Sequence, residues 1–597
     1  MTTKRQFMKN MSGLAISSAL TPLAQANPIV PALQLLLSDE HCIDEEVSST
    51  IVKSPYVGSS SVQRVDFRDY FLPVNYRPGD SGFITGYVER LLSARGLLQV
   101  RVYTEHGMNV SDEDYVPFDK VITLAEGEWY GTFNITINAH NRVGTGEIVL
   151  RMQIINSLSS LETHLDCPNA DWGSIYLFDN HNRVPPSTHY VNSTQEFLTA
   201  LNNPAVNYIG ISSDIQQPES FMTGGGTSLQ NRKVIFGANS NNGTYDSSIT
   251  LKGNGSSSAA IYDGKFLTFE GLHIEKFKQD NDPASNAQVY ACNFINVTGL
   301  RIEFPANSNS SPIFLCKKGN RVFNCSLDTH ISSEGDFRNS GAIHGYNYSE
   351  TIIEACNLYG LLYNKNSLSS QDKSITVKRC RLKPQTGGSI QTQSFTGTTH
   401  HQVVIDRVIA SENILLGNYD SPNAIGGPAP ASLQGSDFEV KNCVIYGSIH
   451  AAWKQRYRIY NNLFLSDKPL WVFRFRRASD HNFMTDYNVI AAGKTIYASD
   501  AFDSDVWGNS TPVGYFTFAA LKQAGFDQNS VIANDFGVID EGNDDFFQRD
   551  FTPLPDSPLL SNLGHDGYPR GVVHAVGQAK IGAVPNSEFS TLNKQSC

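Results

Sequence analysis

Val322-Phe323-Asn324-Cys325-Ser326-Leu327 decides the fold, because the phrase returns. It recurs as Ile353-Glu354-Ala355-Cys356-Asn357-Leu358, Val377-Lys378-Arg379-Cys380-Arg381-Leu382 and Val440-Lys441-Asn442-Cys443-Val444-Ile445. Val404-Ile405-Asp406-Arg407-Val408-Ile409 keeps the pattern with Val for Cys. Ile459-Tyr460-Asn461-Asn462-Leu463-Phe464 and Thr485-Asp486-Tyr487-Asn488-Val489-Ile490 are later copies. Six intervals separate Leu327 from Ile490, a mean of about 27 residues, which is a solenoid period. The alternation within each copy gives strands rather than helices. Each unit is therefore read as one coil of parallel strands, with the cysteines as small apolar residues stacked coil on coil.

A second strand precedes each phrase. We align Pro312-Ile313-Phe314-Leu315, Ala342-Ile343-His344-Gly345-Tyr346, Leu361-Leu362-Tyr363-Asn364-Lys365 and Ser389-Ile390-Gln391-Thr392-Gln393. Ser432-Leu433-Gln434, Ser448-Ile449-His450-Ala451-Ala452, Trp471-Val472-Phe473-Arg474-Phe475-Arg476 and Thr495-Ile496-Tyr497 complete the set. One apolar residue in each points to the core, so its neighbour points out. The outward neighbours are Phe314, His344, Tyr363, Gln391, Gln434, His450, Arg474 and Tyr497. Two residues further along lie Tyr346, Lys365, Gln393 and Arg476. A register shift of one at Trp471 would bury the arginines, which is costly, so the arginines are read as outward.

Around this repeat the chain has 597 residues, 40% apolar and only 17% charged, with a net charge of −12. Disordered chains are charge-rich and apolar-poor, so disorder is excluded. Proteins that grip nucleic acid over a large surface are basic, so that role is disfavoured. Residues 1–26 read as an export signal: Lys4, Arg5 and Lys9, an apolar run from Leu14 to Leu23, and the Ala24-Gln25-Ala26 cleavage site. Thr3 to Lys9 resembles the twin-arginine motif with Lys4 for its first Arg, and Sec export is the other route. A secreted or periplasmic bacterial protein is expected, and cleavage takes −12 to −15. No later stretch spans a bilayer. Nine cysteines in this length do not make a disulfide scaffold, although Cys42, Cys167 and Cys597 lie outside the repeat as bridge candidates.

Residues 27–56 read as a leader. Over residues 57–160 short alternating strands (96–103, 120–124, 132–137 and 147–152) with Gly- and Asp-rich turns suggest a small antiparallel sandwich. The run from Asp114-Tyr115 through Glu126-Gly127-Glu128 to Gly146-Glu147 is similar to a Calx-β or immunoglobulin-like module, read as accessory. Residues 161–189, with Pro185-Pro186, read as a linker. Residues 190–585 form the solenoid, opened by the capping box Ser193-Thr194-Gln195-Glu196 ahead of a short amphipathic helix. Phe518 to Ala524 is a second short helix, and residues 586–597 are a tail. The fold class is all-β: a right-handed parallel β-helix preceded by a small antiparallel β-sandwich.

The coil phrases, with the closing run Asp550-Phe551-Thr552-Pro553, Ser557-Pro558-Leu559 and Ile581-Gly582-Ala583, resemble the right-handed β-helix polysaccharide lyases. This is the pectate lyase-like superfamily, which includes the alginate lyase and chondroitinase B type. The resemblance implies β-elimination: a base removes the C5 proton of a uronate, a donor protonates the leaving oxygen, and a cation or Ca²⁺ neutralises the carboxylate. Within the groove, His344, His450, Tyr346, Tyr363 and Lys365 are the candidate acids and bases. Arg474, Arg476 and Lys454 are the candidate carboxylate neutralisers, with Gln391, Gln393 and Gln434 as further substrate-binding residues. No calcium-binding Glu constellation matches residue by residue, so the metal stays open. The expected partner of a monomer is an acidic polysaccharide such as alginate. A glycoside hydrolase acting through Glu334 and Asp336 on a sulfated or pectic polymer is the first alternative. A non-catalytic glycan-binding adhesin is the second.

Overall fold

The computed structural model describes residues 62–592 except short connecting stretches and the longer segments 253–260, 281–291, 301–312, 329–341, 364–372, 393–400, 417–436, 466–472, 498–514 and 562–580. The export signal, the leader, Cys42, Cys167 and Cys597 lie outside the described residues. The framework is all-β and is dominated by three long sheets of parallel strands.

The chain visits these three sheets in rotation. In one circuit Arg321–Phe323 lies in the first sheet, Ser326–Asp328 in the second and Ile343–Ser349 in the third, and Thr351–Glu354 returns to the first. Every strand pairs in parallel with its counterpart one circuit later. The sheets have 13, 12 and 10 strands, and Thr244–Tyr245 is an antiparallel side branch of the first. Along the first sheet, the step from one circuit to the next varies, for example 19 residues from Val440 to Ile459 against 35 from Ile405 to Val440, because the connections differ while the strands keep register.

The corner between first and second sheets explains the recurring phrase. The residue before each cysteine is left-handed: Asn324, Ala355, Arg379 and Asn442 have φ of 50°, 56°, 50° and 54°. Asn tolerates this region, whereas Ala and Arg do not adopt it freely. The next residue forms an internal ladder: Cys325, Cys356, Cys380 and Cys443 are buried free thiols. Further on Asn462 and Asn488 take the cysteine's place. Asn462 Oδ1 accepts the Cys443 N–H (2.9 Å) and Asn488 Oδ1 accepts the Asn462 N–H (3.0 Å). Inside the coils, apolar side chains stack in register, as Phe269 on Phe294 (5.1 Å, 15°) and Phe438 on Tyr457 (5.1 Å, 24°). The helix Thr194–Asn202 closes one end of this core with Phe197, Ala200 and Leu201. Its N-terminus is capped: Ser193 Oγ accepts the Glu196 N–H, and Glu196 Oε2 accepts the N–H of Asn192, one residue before the cap (2.9 Å). The second short helix runs Phe518–Gln523.

The N-terminal unit is a sandwich of a four-stranded and a six-stranded sheet. Two expected boundaries are corrected. The supposed linker 161–189 contributes Glu162–Leu165, beside Val62–Phe67, and Trp172–Asp179, beside Phe71–Tyr76. Trp172–Asp179 is buried along its whole length, so it lacks the alternation that marks a strand with one wet face. The supposed tail contributes Ser590–Thr591, which pairs in parallel with Val74 and Asn75. A strand of two residues has no readable period.

Candidate functional site

Each of the three long sheets has an inner face on the core and an outer face. The sandwich covers the outer face of the first sheet. Phe236, Ile295, Phe323 and Ile352 join the sandwich's own core, and Phe71 stacks on Phe323 at 5.0 Å. The same sheet meets the sandwich through buried charge. Lys378 Nζ binds Asp66 (3.0 Å), Arg407 Nη1 binds Asp69 (2.8 Å) and Lys441 Nζ binds Glu89 (3.2 Å). Burial pushes the Asp69 carboxyl up, but Arg407 and Arg379 outweigh it and hold the group at about 2. The C-terminal region covers the second sheet: Phe546, Phe551, Leu559 and Ile581 cluster with Ile409, Val444, Leu463 and Val489. Among the described residues no such layer lies over the third sheet. The hairpin of Ile496–Tyr497 and Tyr515–Phe516 adjoins its last strand, Phe473–Arg476, and the helix Thr194–Asn202 adjoins its first, Met222–Gly225.

The register of the third sheet fixes which positions share a face. Ile343, Ile390, Ile414 and Ile449 form a row that is buried in the core. The positions one residue on form the alternate row. It runs Lys278, Phe314, His344 and Leu362, then Gln391, Leu415, His450 and Arg474. No Asp or Glu stands in it. Tyr346, beside Cys316, and Arg476, beside Ala452, hold the positions two further along. Phe473 pairs with Ile449, which gives Arg474 and Arg476 the register expected from the sequence.

Three expected members fall elsewhere. Tyr363 pairs with Gly345 and Thr392, not with His344, because Leu361 rather than Leu362 continues the buried row. Gln434 is displaced from the row: Asn413–Leu416 is the strand between Gly388–Thr392 and Ile449–Ala452, so Leu415 takes that place. Tyr497 pairs antiparallel with Tyr515. Gln434 itself lies outside the described residues, as do Lys365, Gln393, Lys454, Glu334 and Asp336. Lys278 is an addition. Its strand, Phe277–Asp280, belongs to a circuit without the Asn-Cys phrase, so the repeat gave no anchor for aligning it.

Parallel strands stand about 4.8 Å apart. His450 and Arg474 are on adjacent strands, and so are Phe314 and His344. His344 and His450 are four strands apart, about 19 Å. The expected residues therefore form two groups, not one centre. His450 pairs with Arg474 on the next strand, which also carries Arg476. His344 and Tyr346 stand together on another strand. Among the described residues no cluster of three or more His, Cys, Asp or Glu is gathered for a metal ion.

No family model matches the sequence, and no curated protein matches it. Among solved structures, the apo-form Calx CBD1 domain is 14% identical at a TM-score of 0.17, over 20% of this chain and 97% of that one. The Calx CBD2 domain is 12% identical at 0.17, over 21% and 90%. The CBD12 segment of CALX1.2 is 14% identical at 0.17, over 22% and 51%.

Proposed function

We propose that the three parallel sheets wind as a right-handed β-helix, and that the protein is a secreted lyase cleaving a uronate-containing polysaccharide such as alginate by β-elimination. One observation supports this above the others. Among the described residues, the long sheet without a covering layer is the one whose alternate row of positions holds His344, His450 and Arg474 and no carboxylate. A hydrolase normally works with a carboxylate pair, whereas elimination needs a base beside positive charge. In this reading His450 takes the C5 proton of the uronate. Arg474 and Arg476 neutralise the carboxylate as the enolate develops. The C4–O bond then breaks, the C4–C5 double bond forms, and the imidazolium returns a proton to the departing oxygen. Export through residues 1–26 belongs to the same reading.

The test is ultraviolet absorbance of the unsaturated uronate, followed while the purified protein meets a panel of acidic polysaccharides. A rise on one polymer, lost in His450→Ala and Arg474→Ala, is expected. New reducing ends without the chromophore would overturn the lyase in favour of a hydrolase. Binding without either product would leave a glycan-binding protein.

A further inference from the structure

We infer that the face of the third sheet carrying the row of Lys278, His344, His450 and Arg474 is a two-anchor site for one long polyanionic glycan, with Lys278 at one end and Arg474 at the other. The inference rests on the polysaccharide reading above and extends it to the length of chain recognised. The register carries it. Ionisable positions gather at both ends of the row: Lys278 and His344 at one, His450 and Arg474 at the other. The positions between them, Leu362 and Leu415 among them, bear no charge. Asp280 stands two residues along from Lys278 on the same strand, so that end is mixed across rows, while the row itself is free of acid. Lys278 and Arg474 are seven strand spacings apart, about 34 Å.

Two weak anchors joined by one rigid ligand act as linked sites, and a ligand too short to span them gains nothing from the second. A cationic row in a chain of net charge −12 selects a polyanion from the surroundings rather than a neutral glycan. Recognition therefore depends on length as well as charge. Fragments shorter than about 19 Å occupy one end only, and chains longer than about 34 Å engage both.

The experiment measures the affinity of the full chain for size-fractionated acidic oligosaccharides of the polymer it binds. Wild type, Lys278→Gln, Arg474→Gln and Lys278→Arg are compared. A step in wild-type affinity is expected once the ligand spans the row. Lys278→Gln is expected to weaken long ligands about 10-fold or more and to leave ligands confined to the Arg474 end unchanged. Lys278→Arg restores long-ligand binding, which separates lost charge from lost folding. Equal weakening of short and long ligands by Lys278→Gln, or none at either length, overturns the two-anchor inference alone. Absence of binding to any acidic glycan of any length overturns the polysaccharide reading, and this inference with it.

Discussion

Asp527 ends the internal ladder of polar side chains, and its environment sets a pH dependence. Its Oδ1 accepts from Thr485 Oγ1 (3.0 Å), Asn488 Nδ2 (3.1 Å) and Ser530 Oγ (2.5 Å). Burial dominates over these donors and pushes the carboxyl up to about 6. A carboxyl raised in the folded state binds its proton more tightly folded than unfolded. Its contribution to stability is thus fully present below about pH 4 and is lost as pH rises through 6. The two-unit shift corresponds to about 3 kcal/mol at most. Asp527→Asn, close in shape and uncharged, is expected to raise the thermal midpoint at pH 8 and to change it little at pH 4. An equal shift at both pH values would show that the charge is not the cause.

At the scale of the element, the short strand Ser590–Thr591 shows how much rests on few residues. Phe589 beside it lies 4.8 Å from Phe178 and 6.2 Å from Phe71, ring to ring, at 6% exposure. Phe589→Ala is expected to destabilise the protein by about 3 kcal/mol, read from denaturant unfolding. A loss below about 1 kcal/mol would mean the strand is not held by that ring. Neither this strand nor Trp172–Asp179 was legible in the sequence. The first is too short for a period, and the second is buried on both faces. The coil phrase was legible because a left-handed corner and a small buried residue recur beside alternating apolar positions. Third-sheet strands were aligned correctly where a single isoleucine marks the core, as at Ile343, Ile390 and Ile449. At Leu361-Leu362 two equivalent residues offered two registers, and a one-residue slip took Tyr363 out of the row of His344. At Gln434 the difference is larger: Asn413–Leu416, close behind its coil phrase, is the strand of that circuit, and the aligned Ser432-Leu433-Gln434 lies further along the chain. The likeness in residue type between His450 and Arg474 was readable from their shared pattern, while Lys278 had no such anchor.

For the whole molecule, the sandwich and the first long parallel sheet share an interface of buried apolar and charged side chains. Glu354 Oε2 accepts the N–H groups of Tyr70 and Phe71 (2.9 Å each), and its Oε1 takes Arg379 Nε (2.9 Å). Glu354→Ala would leave a buried guanidinium and two amides without that partner. The expected loss is about 3–5 kcal/mol, with faster hydrogen exchange at the Tyr70 and Phe71 amides. Unchanged exchange there would mean that the sandwich is seated by its apolar contacts alone. A second buried carboxyl, Glu270, accepts from Thr145 across the same interface and is pushed up to about 7, chiefly by burial. By the same sign as Asp527, its contribution weakens as pH rises through neutrality.

The sandwich's footprint also limits how this protein can change over time. Tandem repeats commonly grow or shrink by duplicating or losing a unit. Here Asp66, Asp69 and Glu89 are spaced to meet Lys378, Arg407 and Lys441 on successive circuits. Inserting one circuit among these would set every later cation out of step with its acid. Copy number is therefore locked between Lys378 and Lys441.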